Sequence, residues 1–154
     1  MDVLMSGRIP PYAIIAVMQH NLKGRVALVT GASRGLGAAI AIKLGQCGAS
    51  VAVNYHRNRE KAQAVAGIIQ KAGSRAAAMQ ADVRDGEQVQ ALVAQVQQVL
   101  GPVDILVPNA TGPQPFLSIE RQTWQAYLDQ MEFFVKSPLL LVKETLAGMK
   151  RRQH

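Results

Sequence analysis

From Gly24 onward the apolar positions change period in a regular alternation. Val26-Ala27-Leu28-Val29-Thr30 is a continuous run bounded by glycines, the pattern of a strand buried on both faces. Leu36, Ile40 and Leu44 then recur at every fourth position, which predicts one face of a helix ending near Gly45 or Gly48. Val51-Ala52-Val53-Asn54 reads as a second strand. Residues 58–72 read as a helix with Val65, Ile68, Ile69 and Ala72 inward. A third strand over 75–80 is weakened by its three alanines. Asp85 suits the N-cap of a helix whose stripe is Val89, Leu92, Val93, Val96 and Leu100. After the Gly101-Pro102 turn, Val103-Asp104-Ile105-Leu106-Val107 makes a fourth strand.

Strands alternating with helices through short connections predict an α/β fold, a Rossmann-like doubly wound parallel sheet with helices on both faces. Residues 111–154 hold a Gly/Pro loop and then helix, near 120–134 and again from about 137 to 152, divided at Pro138. The expected organisation is a loose extension over 1–21 and an incomplete dinucleotide-binding domain over 22–154, cut off after the fourth strand and the helices that follow it. Within the extension, Ile9 to Met18 is apolar but short and carries Pro10 and Pro11; Asp2 and Arg8 do not make a signal-peptide head. Met18 is an alternative start.

Composition adds exclusions. With 154 residues, 49% hydrophobic and 18% charged, the chain can bury a core. No apolar run reaches the roughly 18 to 20 residues that span a bilayer, so no membrane partner is expected. The single cysteine, Cys47, excludes an internal disulfide and reads as a small packing residue; no metal-ligand spacing is present. The net charge of +7 comes from scattered basic residues, with one dense cluster at Lys150-Arg151-Arg152 that suits a helix C-terminus. No nucleic-acid motif accompanies it, and a polyanionic small ligand accounts for part of the excess. A cytoplasmic location is expected.

The chemistry concentrates in Thr30-Gly31-Ala32-Ser33-Arg34-Gly35-Leu36-Gly37, between the first strand and the first helix. Glycines let the backbone turn tightly and approach a pyrophosphate, whose charge the free amides of a helix N-terminus favour. NAD-binding folds tend to place a carboxylate at the end of the second strand. Here Asn54-Tyr55-His56-Arg57 stands there instead. A carboxylate would repel a 2′-phosphate, whereas a guanidinium pairs with it. NADP(H) is therefore expected over NAD(H).

The spacing GxxxGxG in TGASRGLG resembles the cofactor fingerprint of the short-chain dehydrogenase/reductase family, classical type. The resemblance runs from about Leu22 to the last residue and includes Asn54 to Asn58, Ala81-Asp82-Val83, Asp104 to Val107 and Asn109-Ala110. In pattern it is nearest to 3-oxoacyl-acyl-carrier-protein reductases. The resemblance implies that Gly31, Ser33, Arg34, Gly35, Leu36 and Gly37 hold the pyrophosphate side of the cofactor, with Arg34 reaching the 2′-phosphate. Asn54, His56 and Arg57 then lie at the ribose, Asp82 and Val83 at the adenine, and Asn109 and Ala110 along the groove. The family's Asn-Asn-Ala-Gly reads Pro108-Asn109-Ala110-Thr111 here.

The family carries its acid/base chemistry on Tyr-x-x-x-Lys with a Ser and an Asn. Tyr12, Tyr55 and Tyr127 are followed four residues later by Ala16, Arg59 and Met131. Alignment on Met149 puts Phe134 at the Asn position, and alignment on Trp124 puts Met131 there; the offset implies a local insertion. No catalytic set is expected in these residues. The primary reading is the cofactor-binding portion of an NADP(H)-dependent short-chain oxidoreductase, inactive as it stands. The alternatives are a non-enzymatic dinucleotide-binding or subunit-interaction module, with homo-oligomer contacts through the apolar helix at 137–152, or a gene remnant. Trp124, Phe133 and Phe134 are expected in core or interface.

Overall fold

A computed structural model of the chain describes residues 21–113 and 117–153. The expected extension and alternative start lie, apart from Asn21, outside the described residues. The elements are β1 (Val26–Val29), α1 (Gly35–Gln46), β2 (Ser50–Tyr55), α2 (Arg59–Lys71), β3 (Ala76–Gln80), α3 (Gly86–Val99) and β4 (Ile105–Val107). A short 3₁₀ turn at Ile119–Arg121 leads into α4 (Trp124–Met131), a π-helical turn at Glu132–Lys136, and α5 (Ser137–Arg152).

The four strands are parallel in the order β3-β2-β1-β4. The chain thus steps outward from β1 to β3 and then crosses to the other side of β1. That reversal opens a crevice beyond the carboxyl ends of β1 and β4. Ala27 and Val29 of β1 face a core built with α1 and α2, while Val26 and Leu28 face one built with α3 and α5. Burial on both faces is why these strands read as unbroken apolar runs.

Two helix faces differ from their periodicity. In α1 the buried positions are Gly37, Ala41 and Gly45, whereas Leu36 is 71% exposed and Ile40 and Leu44 sit at the flanks of the contact. A Cβ on Gly45 would overlap Ile69 of α2, so the smallest residues mark the closest approach and the larger ones are displaced from it. In α2, Ala62, Val65, Ala66 and Ile69 are buried, and Ile68 and Ala72 are exposed. The α3 stripe falls as read, and Asp85 caps it by accepting from the amides of Glu87 and Gln88.

The helix expected from about 137 to 152 is α5, with Pro138 in its first turn. Residues 124–152 form one helical run, because the π-helical turn upstream of Pro138 absorbs the loss of its donor. Thr123 caps the start by accepting from the Ala126 amide. Trp124 is 70% exposed and Phe134 is also exposed, so neither belongs to the core of the described residues. Of the apolar positions in α5, Leu141 is buried and Leu140 and Met149 pack against the second core, leaving Leu139, Val142 and Leu146 exposed. Arg152 donates from Nε to Asp104 Oδ1 (3.2 Å) and from a terminal nitrogen to the Val103 carbonyl (2.6 Å). Asp104 Oδ2 accepts from the Val26 amide at 2.9 Å, so the end of α5 is tied to the base of β1. No helix among the described residues is long and apolar enough to cross a membrane.

Candidate functional site

The crevice has a volume of about 750 Å³, and every residue expected at the cofactor site lines it. Its floor is the turn after β1. Thr30 Oγ1 accepts from the backbone amides of Asn109 (2.9 Å) and Ala110 (3.1 Å). Asn109 answers through Nδ2, which donates to the carbonyls of Thr30 (2.9 Å) and Gly31 (3.4 Å). The end of β4 is thereby locked to the end of β1.

Asn54 locks the other side. Its Oδ1 accepts from the Gly31 amide (3.3 Å), and its Nδ2 donates to the carbonyls of Met79 (3.3 Å) and Ala81 (3.2 Å). At 1% exposure its side chain is committed to the scaffold. The groups at the end of β2 that reach solvent are His56 and Arg57.

Gly31 (φ 62°) and Gly35 (φ 58°) adopt the left-handed conformation that gives the turn its shape. A Cβ on Gly31 would lie 2.8 Å from Ala110 Cα, and one on Gly37 would collide with Asn109 Nδ2 and lie 2.7 Å from the Gly31 carbonyl oxygen. At Gly35 a Cβ would meet nothing within 4 Å. The first-turn amides of α1 have no carbonyl partner within the helix, and no acidic side chain stands in that turn. Free amides at a helix N-terminus have the geometry that suits an anion, and Ser33 and Arg34 line the cleft beside them.

At the end of β3, Asp82 accepts from Arg84 Nε (2.9 Å), a terminal nitrogen of Arg84 (2.5 Å) and the Arg84 amide (3.1 Å). His56 Nε2 lies 3.8 Å from Asp82 Oδ2, the oxygen that the terminal nitrogen of Arg84 also holds. The hydrogen bonds from Arg84 outweigh burial and hold the Asp82 carboxyl well below its ordinary 3.8, at about 2. Arg84 is correspondingly raised, chiefly by its hydrogen bond to Asp82. Its guanidinium stacks over Phe133 (4.9 Å to the ring centre) and lies 3.8 Å from Glu132. Val83 beside it is buried.

Because the folded value of Asp82 is depressed, the stability it contributes is complete above pH 4 and is lost as pH falls towards 2. The expected loss is about 1–2 kcal/mol over that window. Urea midpoints at pH 5 and pH 2.5 measure it, and Asp82→Asn should remove that part of the slope.

Arg84 and Phe133 were not legible as cleft residues from sequence. Arg84 follows the Asp82-Val83 pair closely enough to have been suspected. Phe133 gives no such signal, since the π-helical turn sets its direction, and its ring packs on Gly112. Among the described residues no group of three His, Cys, Asp or Glu could hold a metal ion.

A parallel sheet with its order reversed at a crevice, and a glycine turn feeding a helix N-terminus there, defines a dinucleotide-binding α/β protein. The sequence pattern of the family described as short chain dehydrogenase matches residues 25–154. Versicolorin reductase 1 of Aspergillus parasiticus is 50% identical over 91 residues, which are 59% of this chain and 35% of that one. The 3-oxoacyl-acyl-carrier-protein reductase of Staphylococcus aureus is 42% identical over 105 residues, 67% of this chain and 43% of that one. A metagenomic short-chain oxidoreductase solved in complex with NADP superposes with a TM-score of 0.79 at 34% identity, covering 87% of this chain and 60% of that one. The chain belongs to the short-chain dehydrogenase/reductase family, and it spans less than half the length of the two curated relatives it matches.

Proposed function

We propose that residues 22–154 are the NADP(H)-binding portion of a short-chain oxidoreductase that interconverts a carbonyl and an alcohol. The observation that carries this is the turn from Gly31 to Gly37, braced from both sides beneath a helix N-terminus.

The residues fit the cofactor. Open space at Gly35 and the free first-turn amides suit a pyrophosphate, with Ser33 beside them. Neither Arg34 nor Arg57 has an ion-pair or hydrogen-bonding side-chain partner among the described residues, and both line the cleft. They supply the positive rim that a 2′-phosphate requires, with the His56 ring beside them. Val83 and Asp82 would flank the adenine, while Asn109 and Ala110 fix the wall on the far side of the turn. When bound, the nicotinamide supplies or accepts the hydride.

The residues present bind and orient. Among the described residues no tyrosine is set to hold a proton at a reacting oxygen: Tyr55 is buried and Tyr127 lies outside the cleft, and neither is followed by a lysine four residues on. By themselves these 154 residues are therefore expected to give no turnover of ketones above background.

Titration of the purified chain with both reduced dinucleotides tests the reading. NADPH should bind at least about fivefold more tightly than NADH, the least that a new charge-assisted hydrogen bond to the 2′-phosphate is worth. Equal affinities, or tighter NADH, would overturn the preference.

A further inference from the structure

We infer that Arg84 is a cofactor-specificity residue, which keeps the cleft compatible with a 2′-phosphate by neutralising Asp82. The inference rests on the dinucleotide reading above. It begins from charge: of all residues lining the cleft, Asp82 alone carries a carboxylate. That carboxylate lies 3.8 Å from His56, at the same end of the sheet as Arg57. Left to itself it would do from β3 what an acidic residue at the end of β2 does in NAD-binding folds, which is to disfavour a second phosphate.

Arg84 prevents this. Its guanidinium grips both carboxylate oxygens, and its backbone amide adds a third contact from the same residue. The grip is fixed from behind by the Phe133 ring at 4.9 Å and by Glu132 at 3.8 Å. Lys136 lies 3.2 Å from Glu132, so Asp82, Arg84, Glu132 and Lys136 balance as two negative and two positive groups. Remove Arg84 and the Asp82 carboxylate stands unneutralised at the same end of the cleft as Arg34 and Arg57, the guanidinium groups that among the described lining residues remain to hold a 2′-phosphate.

The test is calorimetric titration of NADP⁺ and NAD⁺ into the wild-type chain, Arg84→Gln, and the double variant Asp82→Asn/Arg84→Gln, at low and high salt. Arg84→Gln should weaken NADP⁺ by about five- to tenfold and NAD⁺ by less than about twofold, with the difference shrinking in salt. Adding Asp82→Asn should restore the preference for NADP⁺ over NAD⁺, because no carboxylate then remains to neutralise, and any loss at the adenine falls on both dinucleotides alike. Equal loss of both dinucleotides, no loss of either, or no recovery in the double variant would each overturn the inference while leaving the dinucleotide reading standing. A wild-type chain that binds neither dinucleotide overturns both. If Arg84→Gln does not fold, Arg84→Lys replaces it; retained charge should then retain most of the preference, and a loss as large for NAD⁺ as for NADP⁺ would count against the inference.

Discussion

Alanine at Gly37 is expected to abolish measurable dinucleotide binding and to lower the unfolding free energy by about 1–3 kcal/mol. The added Cβ would collide with Asn109 Nδ2 and approach the Gly31 carbonyl oxygen to 2.7 Å and Ala32 Cα to 3.1 Å. Two of these are backbone atoms, and the third belongs to a side chain held by the carbonyls of Thr30 and Gly31. None is the free end of a flexible chain. The turn must open to admit one methyl group, and the amides it presents lose their convergence. Titration with NADPH and a urea denaturation curve check both halves of the expectation. Gly67, whose Cβ would meet nothing within 4 Å in α2, is the internal comparison: alanine there should be neutral or stabilising. Unimpaired binding by the Gly37 variant would show that the turn is not the cradle.

Replacing Asn54 with leucine is expected to cost about 2–4 kcal/mol, the larger of the two stability effects. The side chain joins three elements, since it accepts from the Gly31 amide of the turn after β1 and donates to the carbonyls of Met79 and Ala81 at the end of β3. Leucine keeps the branched shape with bulkier methyl groups and leaves all three partners without it in a site closed to water. The same change frees Gly31, so NADPH affinity should fall with stability. Combined with Thr30→Val, which removes the acceptor for Asn109 and Ala110, the losses should be non-additive, because both braces hold one turn. A loss below about 1 kcal/mol would mean that Asn54 is not a brace.

The order of elements and the parallel sheet were legible because β1 and β2 are buried on both faces and say so in unbroken apolar runs. The glycine turn was legible because its spacing sits at a strand-to-helix junction. What escaped had definite causes. Periodicity weights large apolar residues, yet α1 meets the sheet and α2 through Gly37, Ala41 and Gly45, so Leu36 was assigned to a face it does not share. The helix that begins beside Pro138 was legible, but the π-helical turn that joins it to α4 without a break has no sequence signature of its own. Asn54, expected at the ribose, lines the cleft, but its bracing role was not legible, because the cross-strand neighbours that take up its amide lie far along the chain. Arg84 and Phe133 meet only after α4 and the π-helical turn are in place.

The double bracing of Gly31 has a consequence for motion. Its amide and carbonyl are bonded to Asn54 and Asn109, and through them to the ends of β3, β1 and β4. Gly31 therefore belongs to the same cooperative unfolding unit as the sheet, and its amide should exchange with solvent only when the sheet itself opens, while the free first-turn amides of α1 exchange readily. A ligand cannot be admitted or released by local melting of that turn. Among the described residues, exposed side chains at the rim such as Arg34, His56 and Arg57 are the groups left to adjust against that base.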